Sequence, residues 1–195
     1  MVLRPLVDAA RQGARLFLVM ASLNALFIVL GLALWPSTTG PGSPPAHAGP
    51  PSFPYAGYQL LLHAVTGFAV GAVSLDPAVA LIGGVVGPLI DFDHIGFFAG
   101  LPVEARVGHS LVLVALIILV DSRAHFWGRG TRNLLLFLAL EYSVHFAVAP
   151  PGFPLFTPLS FVIVDFPRVV PAALAVVFGV GFFFDTMGSR LRSPS

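Results

Sequence analysis

A long uncharged stretch near the start of the chain constrains its fold more than any other feature. No Asp, Glu, Lys or Arg occurs from Leu16 to Leu75, and only 10% of the 195 residues are charged, whereas 56% are hydrophobic. Soluble domains carry about 25% charged residues, so this composition excludes an ordinary water-soluble globule. The sequence therefore predicts an all-α membrane protein.

Six apolar runs are candidates for membrane-spanning helices: 16–35, 58–75, 78–98, 107–120, 133–148 and 169–184. About 20 helical residues cover about 30 Å, which is the thickness of the hydrocarbon core. The segment 36–54 holds seven prolines in nineteen residues, a composition that excludes a helix and favours an extended loop. We expect one membrane domain over 1–195, with a first span at 16–35, an outer loop at 36–57, a five-helix core at 58–186 and a tail at 187–195.

The arginines predict the orientation of these spans. If the N-terminus is cytoplasmic and the spans alternate, only Arg106 and Arg168 lie outside. Eight arginines then lie inside, as the positive-inside rule requires: Arg4, Arg11, Arg15, Arg123, Arg129, Arg132, Arg190 and Arg192. The sequence thus predicts a multi-pass protein of the cell (plasma or inner) membrane with both termini cytoplasmic. Asp76 and Asp121 flank spans, and we expect both to be solvated helix ends.

The first span has a competing interpretation as a secretory leader. Ala46-His47-Ala48 resembles a signal-peptidase site, and arginines precede the apolar run. A leader usually has an apolar core of about 7–15 residues and a closer cleavage site. We therefore expect an uncleaved first helix.

Several ionisable residues lie inside or at the ends of the spans, where such residues are costly and usually functional. They are His63, Asp91, Asp93, His94, His109, Glu141, His145 and Asp165. For Asp165 we expect an ion pair with Arg168 at the outer surface. The alternating topology places all of them in the outer half of the bilayer. A single membrane histidine is more often a hydrogen-bonding group between helices than a ligand, but three ionisable groups within Asp91-Phe92-Asp93-His94 are hard to explain as packing.

This collection of side chains has the chemistry of a metal site. Imidazoles and carboxylates suit zinc, and also manganese or iron. Asp91 and His94 are three residues apart and Glu141 and His145 four apart, so each pair shares one helix face. No cysteine is present, which excludes thiolate ligands and nucleophiles.

The same residues resemble the motifs of the YdjM/YbcI family, whose members are inner-membrane proteins assigned as metal-dependent hydrolases. The resemblance covers about residues 59–160 and lies in four elements: Leu62-His63-Ala64, Ile90-Asp91-Phe92-Asp93-His94, Gly108-His109-Ser110-Leu111, and His145 with the later Pro151-Gly152-Phe153-Pro154. The chain departs from the family pattern at Glu104 and Ala105, where the family has His and Arg, and at Ala149, where it has Asp. Glu104 and Glu141 are candidates to replace the missing groups.

The resulting hypothesis is an outward-facing, metal-dependent hydrolase that acts on a phosphoester or lipid-linked substrate. Its predicted metal ligands are His63, Asp91, Asp93, His94, His109 and His145, with His94 either a ligand or a group that orients an aspartate. Glu141 or Glu104 would act as general base or acid. The predicted cofactor is a divalent metal, zinc first, and manganese or iron otherwise.

The sequence leaves two alternatives to the hydrolase open. The chain could be a catalytically degenerate structural or assembly subunit, whose GxxxG spacings at Gly67–Gly71 and Gly83–Gly87 serve helix packing. It could also be an ion or proton transporter, although the inner halves of the later spans hold few polar residues. The expected partners are membrane lipid and a second copy or a membrane-complex subunit. No nucleic acid is expected, since the chain has no polybasic face.

Overall fold

The computed structural model describes residues 3–34, 53–91, 107–148, 155–156, 159 and 164–192. These residues form six α-helices and one short 3-10 helix. The helices are α1 (Leu3–Leu34), α2 (Phe53–Ala72), α3 (Pro77–Ile90), α4 (Leu111–Ala124), α5 (Thr131–Val148) and α6 (Val169–Arg192), and the 3-10 helix is Val107–His109. The all-α prediction is confirmed for the described part of the chain.

The helix bounds differ from the predicted spans at several ends. Helix α1 begins at Leu3 and therefore includes the basic segment before the apolar run. Helix α2 begins at Phe53, so the predicted loop at 36–57 is wrong at its end. The physical reason is that Pro54 lies in the first helical turn, where its missing N–H has no intrahelical acceptor. The fourth predicted span is also displaced, because α4 starts at Leu111 after the 3-10 helix.

Among the described helices, two are long and apolar enough to cross a membrane, within Ala10–Leu30 and Val169–Leu191. Helix α3 is apolar but shorter. Large apolar side chains also point outward from several helices, for example Leu61, Val65 and Val176, each about 60% or more exposed. The outer surface of the helices is therefore strongly apolar.

Glycines bring α2 and α3 into direct main-chain contact as an antiparallel pair. A side chain at Gly67 would overlap the carbonyl oxygen of Gly83, and one at Gly83 would overlap that of Gly67. One turn further along, a side chain at Gly87 would overlap the carbonyl oxygen of His63. The two GxxxG spacings thus serve the α2–α3 contact, and only glycine permits so close an approach.

The turn between α2 and α3 contacts the turn between α4 and α5 and the last turn of α6. The Asp76 carboxylate lies 2.9 Å from a guanidinium nitrogen of Arg129 and 3.7 Å from one of Arg190. Asp76 also caps α3 by accepting the N–H of Ala78 at 2.9 Å. Burial disfavours the charged carboxylate, but Arg129 and the Ala78 N–H outweigh it, so the pKa of Asp76 lies below its ordinary value of 3.8. Asp76 is therefore a paired residue rather than a freely solvated helix end.

Asp121, also expected to be solvated, is 1% exposed. Its carboxylate accepts the backbone N–H of Trp127 and the Thr131 hydroxyl, both at 2.8 Å. The turn between α4 and α5 folds back over the carboxylate and supplies these donors. The prediction for Asp121 is wrong because hydrogen bonds within this turn replace water.

Candidate metal centre

Four helices or helix ends carry the ionisable side chains of the site. His63 lies midway along α2, and Asp91 is the residue that ends α3. His109 ends the 3-10 helix before α4, and His145 lies in the last turn of α5. Because α2, α3 and α5 pack against one another, these four side chains meet at one depth in the bundle.

Asp91 is the centre of the cluster. Its Oδ2 lies 2.6 Å from Nε2 of His63, and its Oδ1 lies 3.2 Å from Nε2 of His109 and 3.7 Å from Nε2 of His145. The Nε2 atoms of His109 and His145 are 2.9 Å apart. The imidazole rings of His63 and His145 have centroids 4.8 Å apart. Three imidazoles therefore direct ring nitrogens at one carboxylate.

The cluster is shielded from solvent. His63 is 8% exposed, and His109 and His145 are each 3% exposed. Charged or polar groups at such burial need partners, which here are the other members of the cluster. The cluster is therefore a group of mutually paired polar side chains enclosed by apolar residues.

The donor geometry fits a divalent metal ion. One ligand atom from each of His63, Asp91 and His145 lies within 4.8 Å of the others. The His109 and His145 nitrogens could also share an ion, since two bonds of about 2.05 Å would enclose an angle of about 90° at their separation. The tetrahedral angle would require a separation of about 3.3 Å between the two nitrogens, so moving them apart by a few tenths of an ångström would suffice. A buried His/Asp group that could hold a divalent metal is thus present, and its donors do not identify which metal.

Glu141 lies one helical turn before His145 and is 2% exposed. Its Oε1 sits at the α2–α3 contact, 3.1 Å from the positions that a Cβ would take at Gly67 and Gly87. Its Oε2 is buried and makes no hydrogen bond to any residue in the described part of the chain. The glycines of the α2–α3 pair therefore leave room for a carboxyl group one turn below the cluster.

Three predicted site residues, Asp93, His94 and Glu104, lie outside the described residues. Their predicted roles as ligands or as acid and base stay predictions. Of the other predicted residues, the structure brings His63, Asp91, His109 and His145 together, and it places Glu141 one turn away.

Two polar residues beside the site were not singled out from the sequence. Tyr142 is 2% exposed and donates its hydroxyl to the carbonyl oxygen of Gly108 at 2.6 Å. Asn24 of α1 is fully buried and donates to the carbonyl of Met20 at 3.1 Å. Asn24 could have been noticed as a lone amide within an apolar run, whereas Tyr142 gives no signal distinct from ordinary aromatic packing.

Comparison of the chain with protein-family models, with curated proteins and with solved structures gives no match.

Proposed function

We propose that this protein is an integral-membrane, metal-dependent hydrolase whose centre is formed by His63, Asp91, His109 and His145. The observation that carries the proposal is the buried convergence of three imidazoles on one carboxylate. Zinc is the first candidate ion because it favours imidazole and carboxylate donors in a four-coordinate site, and manganese or iron would use the same donors. A divergent relationship to the YdjM/YbcI family is part of this proposal.

The proposed topology has six spans, with both termini in the cytoplasm of a multi-pass membrane protein. Support comes from the two ends of α3. Asp76, paired with Arg129 and Arg190, precedes the helix, and Asp91 ends it. The fourteen residues of α3 separate the two groups by about 21 Å, so the arginines and the His/Asp cluster lie at different depths. The apolar side chains exposed on α1, α2 and α6 favour lipid as the surrounding medium.

The protein's own side chains would act as follows. His63 and Asp91 are held by the α2–α3 main-chain contact, and His145 by α5, so the donors are arranged before any substrate arrives. When bound, a divalent ion supplies Lewis-acid chemistry, polarising a substrate oxygen and acidifying water. Glu141 is the proposed proton acceptor, since it is the buried carboxyl next to the cluster within the described chain. Burial of the site in an apolar bundle favours an amphiphilic phosphoester or a lipid-linked substrate.

The test is metal analysis and phosphoester hydrolysis by the full-length protein purified in detergent. We expect about one equivalent of zinc, manganese or iron, and hydrolysis of at least one lipid-like phosphoester. His145→Ala and Asp91→Ala should lose both metal and activity. His125→Asn is the matched control, because His125 lies in an exposed turn with positive φ that asparagine tolerates.

Three results would change the conclusion. A wild-type protein without metal, and inert with added zinc or manganese, would refute the hydrolase. Metal binding without hydrolysis, together with a fixed partner that co-purifies, would favour the structural subunit. Proton or metal flux in proteoliposomes, abolished by Asp91→Ala, would favour a transporter.

A further inference from the structure

His109 is the one histidine of the cluster that no α-helix carries. It ends the three-residue 3-10 helix Val107–His109, and α4 begins only at Leu111. A 3-10 turn is a less regular support than an α-helix. The position of the His109 ring relative to Asp91 therefore depends on what holds the main chain just before it.

The residue before His109 is in close main-chain contact with the residue before Asp91. A side chain at Gly108 would overlap the carbonyl oxygen of Ile90. The peptides that precede two members of the cluster thus rest directly on each other. A small displacement of Gly108 would alter the 3.2 Å separation between His109 and Asp91.

Two buried polar side chains enclose Gly108. The Tyr142 hydroxyl donates to its carbonyl oxygen at 2.6 Å. On the α1 side, Oδ1 of Asn24 lies 3.3 Å from the position that a Cβ would take at Gly108, and the Asn24 amide lies 3.5 Å from the carbonyl oxygen of Leu89. Tyr142 and Asn24 are 2% and 0% exposed. Burying a phenol and an amide in an apolar bundle is costly. The phenol donates to the loop before α4, whereas the amide nitrogen of Asn24 donates to α1 and α3 and only its oxygen borders Gly108.

We propose that Tyr142 is a positioning residue for the site: through its hydrogen bond to Gly108 it holds His109 against Asp91, and Asn24 bounds the same glycine from α1. The role of Tyr142 in metal affinity rests on the proposed function, whereas its role in placing His109 does not. Groups that orient metal ligands typically change affinity or activity about 10- to 100-fold when removed.

The first measurement uses the metal-free, full-length protein in detergent. Tyr142→Phe removes only the hydroxyl, and Tyr58→Phe makes the same change at a tyrosine that is 61% exposed. Diethyl pyrocarbonate labelling, read residue by residue by mass spectrometry, reports the reactivity of each histidine, with exposed His125 as internal reference. We expect the rate at His109 to rise about tenfold in Tyr142→Phe, in keeping with the loss of one buried hydrogen bond. The rate at His63 should stay unchanged, and Tyr58→Phe should match wild type.

The second measurement is zinc affinity by competition with a chromophoric chelator. We expect Tyr142→Phe to bind zinc about 10- to 100-fold more weakly than wild type and Tyr58→Phe. A wild-type protein that binds none of zinc, manganese and iron would refute the proposed metal centre, while the labelling experiment would still decide the placement of His109.

An unchanged His109 rate in Tyr142→Phe would overturn the inference. So would a parallel rise at His63, His109 and His145, because that would show general loosening instead of a local role. If Tyr142→Phe does not fold, Asn24→Ala replaces it and should give the same selective change at His109. The inference is equally overturned if Asn24→Ala leaves His109 unchanged.

Discussion

Replacing Glu141 with methionine should stabilise the fold and remove activity together. The side chain is 2% exposed, and its Oε2 is buried without a hydrogen bond to any described residue. A buried polar atom without a partner costs about 1–3 kcal/mol. Methionine has similar length and adapts to irregular gaps. We therefore expect Glu141→Met to raise the free energy of unfolding by about 1–3 kcal/mol, equivalent to roughly 2–12 °C in Tm for a chain of this size.

The assay is thermal unfolding of the metal-free protein in detergent, followed by circular dichroism. Leu138→Met is the matched control, because Leu138 is fully buried in the same helix and the exchange conserves volume at a cost below about 1.5 kcal/mol. Activity should fall about 10²- to 10⁴-fold in Glu141→Met if the carboxyl transfers a proton, and remain near wild type in the control.

The reasoning would be refuted if Glu141→Met did not unfold at a higher temperature than the wild-type protein. That outcome would mean that the carboxyl group contributes to stability through its setting at Gly67 and Gly87. If Glu141→Met is more stable than wild type but equally active, the cost of burying the unpaired carboxyl oxygen is supported. The proposed role of Glu141 in proton transfer would then be refuted.

Two further predictions concern the α2–α3 pair. Gly83→Ala should lower the free energy of unfolding by about 1–3 kcal/mol and weaken zinc binding, because the added methyl forces the helices apart. Gly57→Ala is the control, because its methyl would meet nothing within 4 Å. Equal unfolding temperatures of the two variants would contradict the prediction. Asp76→Asn keeps a cap acceptor but loses the charge paired with Arg129, so it should cost up to about 1 kcal/mol at neutral pH. Since the folded pKa of Asp76 is below its ordinary value of 3.8, this contribution is full above about pH 4 and is lost as pH falls through the folded pKa. A stability difference that does not shrink as the pH is lowered below 3.8 would argue against that account.

Spacing along the chain was enough to predict the features that depend on helical repeats. The glycines at 67, 71, 83 and 87 predicted close helix packing, and the structure pairs them across α2 and α3. The alternating order of the spans predicted only that His63, Asp91, His109 and His145 share one half of the bilayer. The structure brings these four side chains together. These two predictions need only a regular rise per residue and the order of the helices.

Features that depend on the course of irregular segments could not be predicted. Asp121 is buried because the following turn returns over it, with His125 at φ +49° and Gly128 at φ +72°. The Tyr142 hydrogen bond likewise depends on where the chain passes just before α4. Neither path is encoded in hydrophobic periodicity. The first depends on the backbone conformation of the turn that follows Asp121, and the second on a contact between segments distant in sequence.

The main-chain contact of α2 and α3 also bears on how this sequence can vary. The separation of His63 and Asp91 is set by backbone atoms that meet at glycines, not by side chains that could be exchanged. Residues on the outer faces of the same helices, such as Val65 and Leu81, are more than half exposed and take no part in that contact. Substitutions can therefore accumulate across the outward surfaces of both helices while the histidine and the aspartate keep their register. A few glycines therefore keep the relative positions of His63 and Asp91 independent of sequence changes on the outer surfaces of α2 and α3.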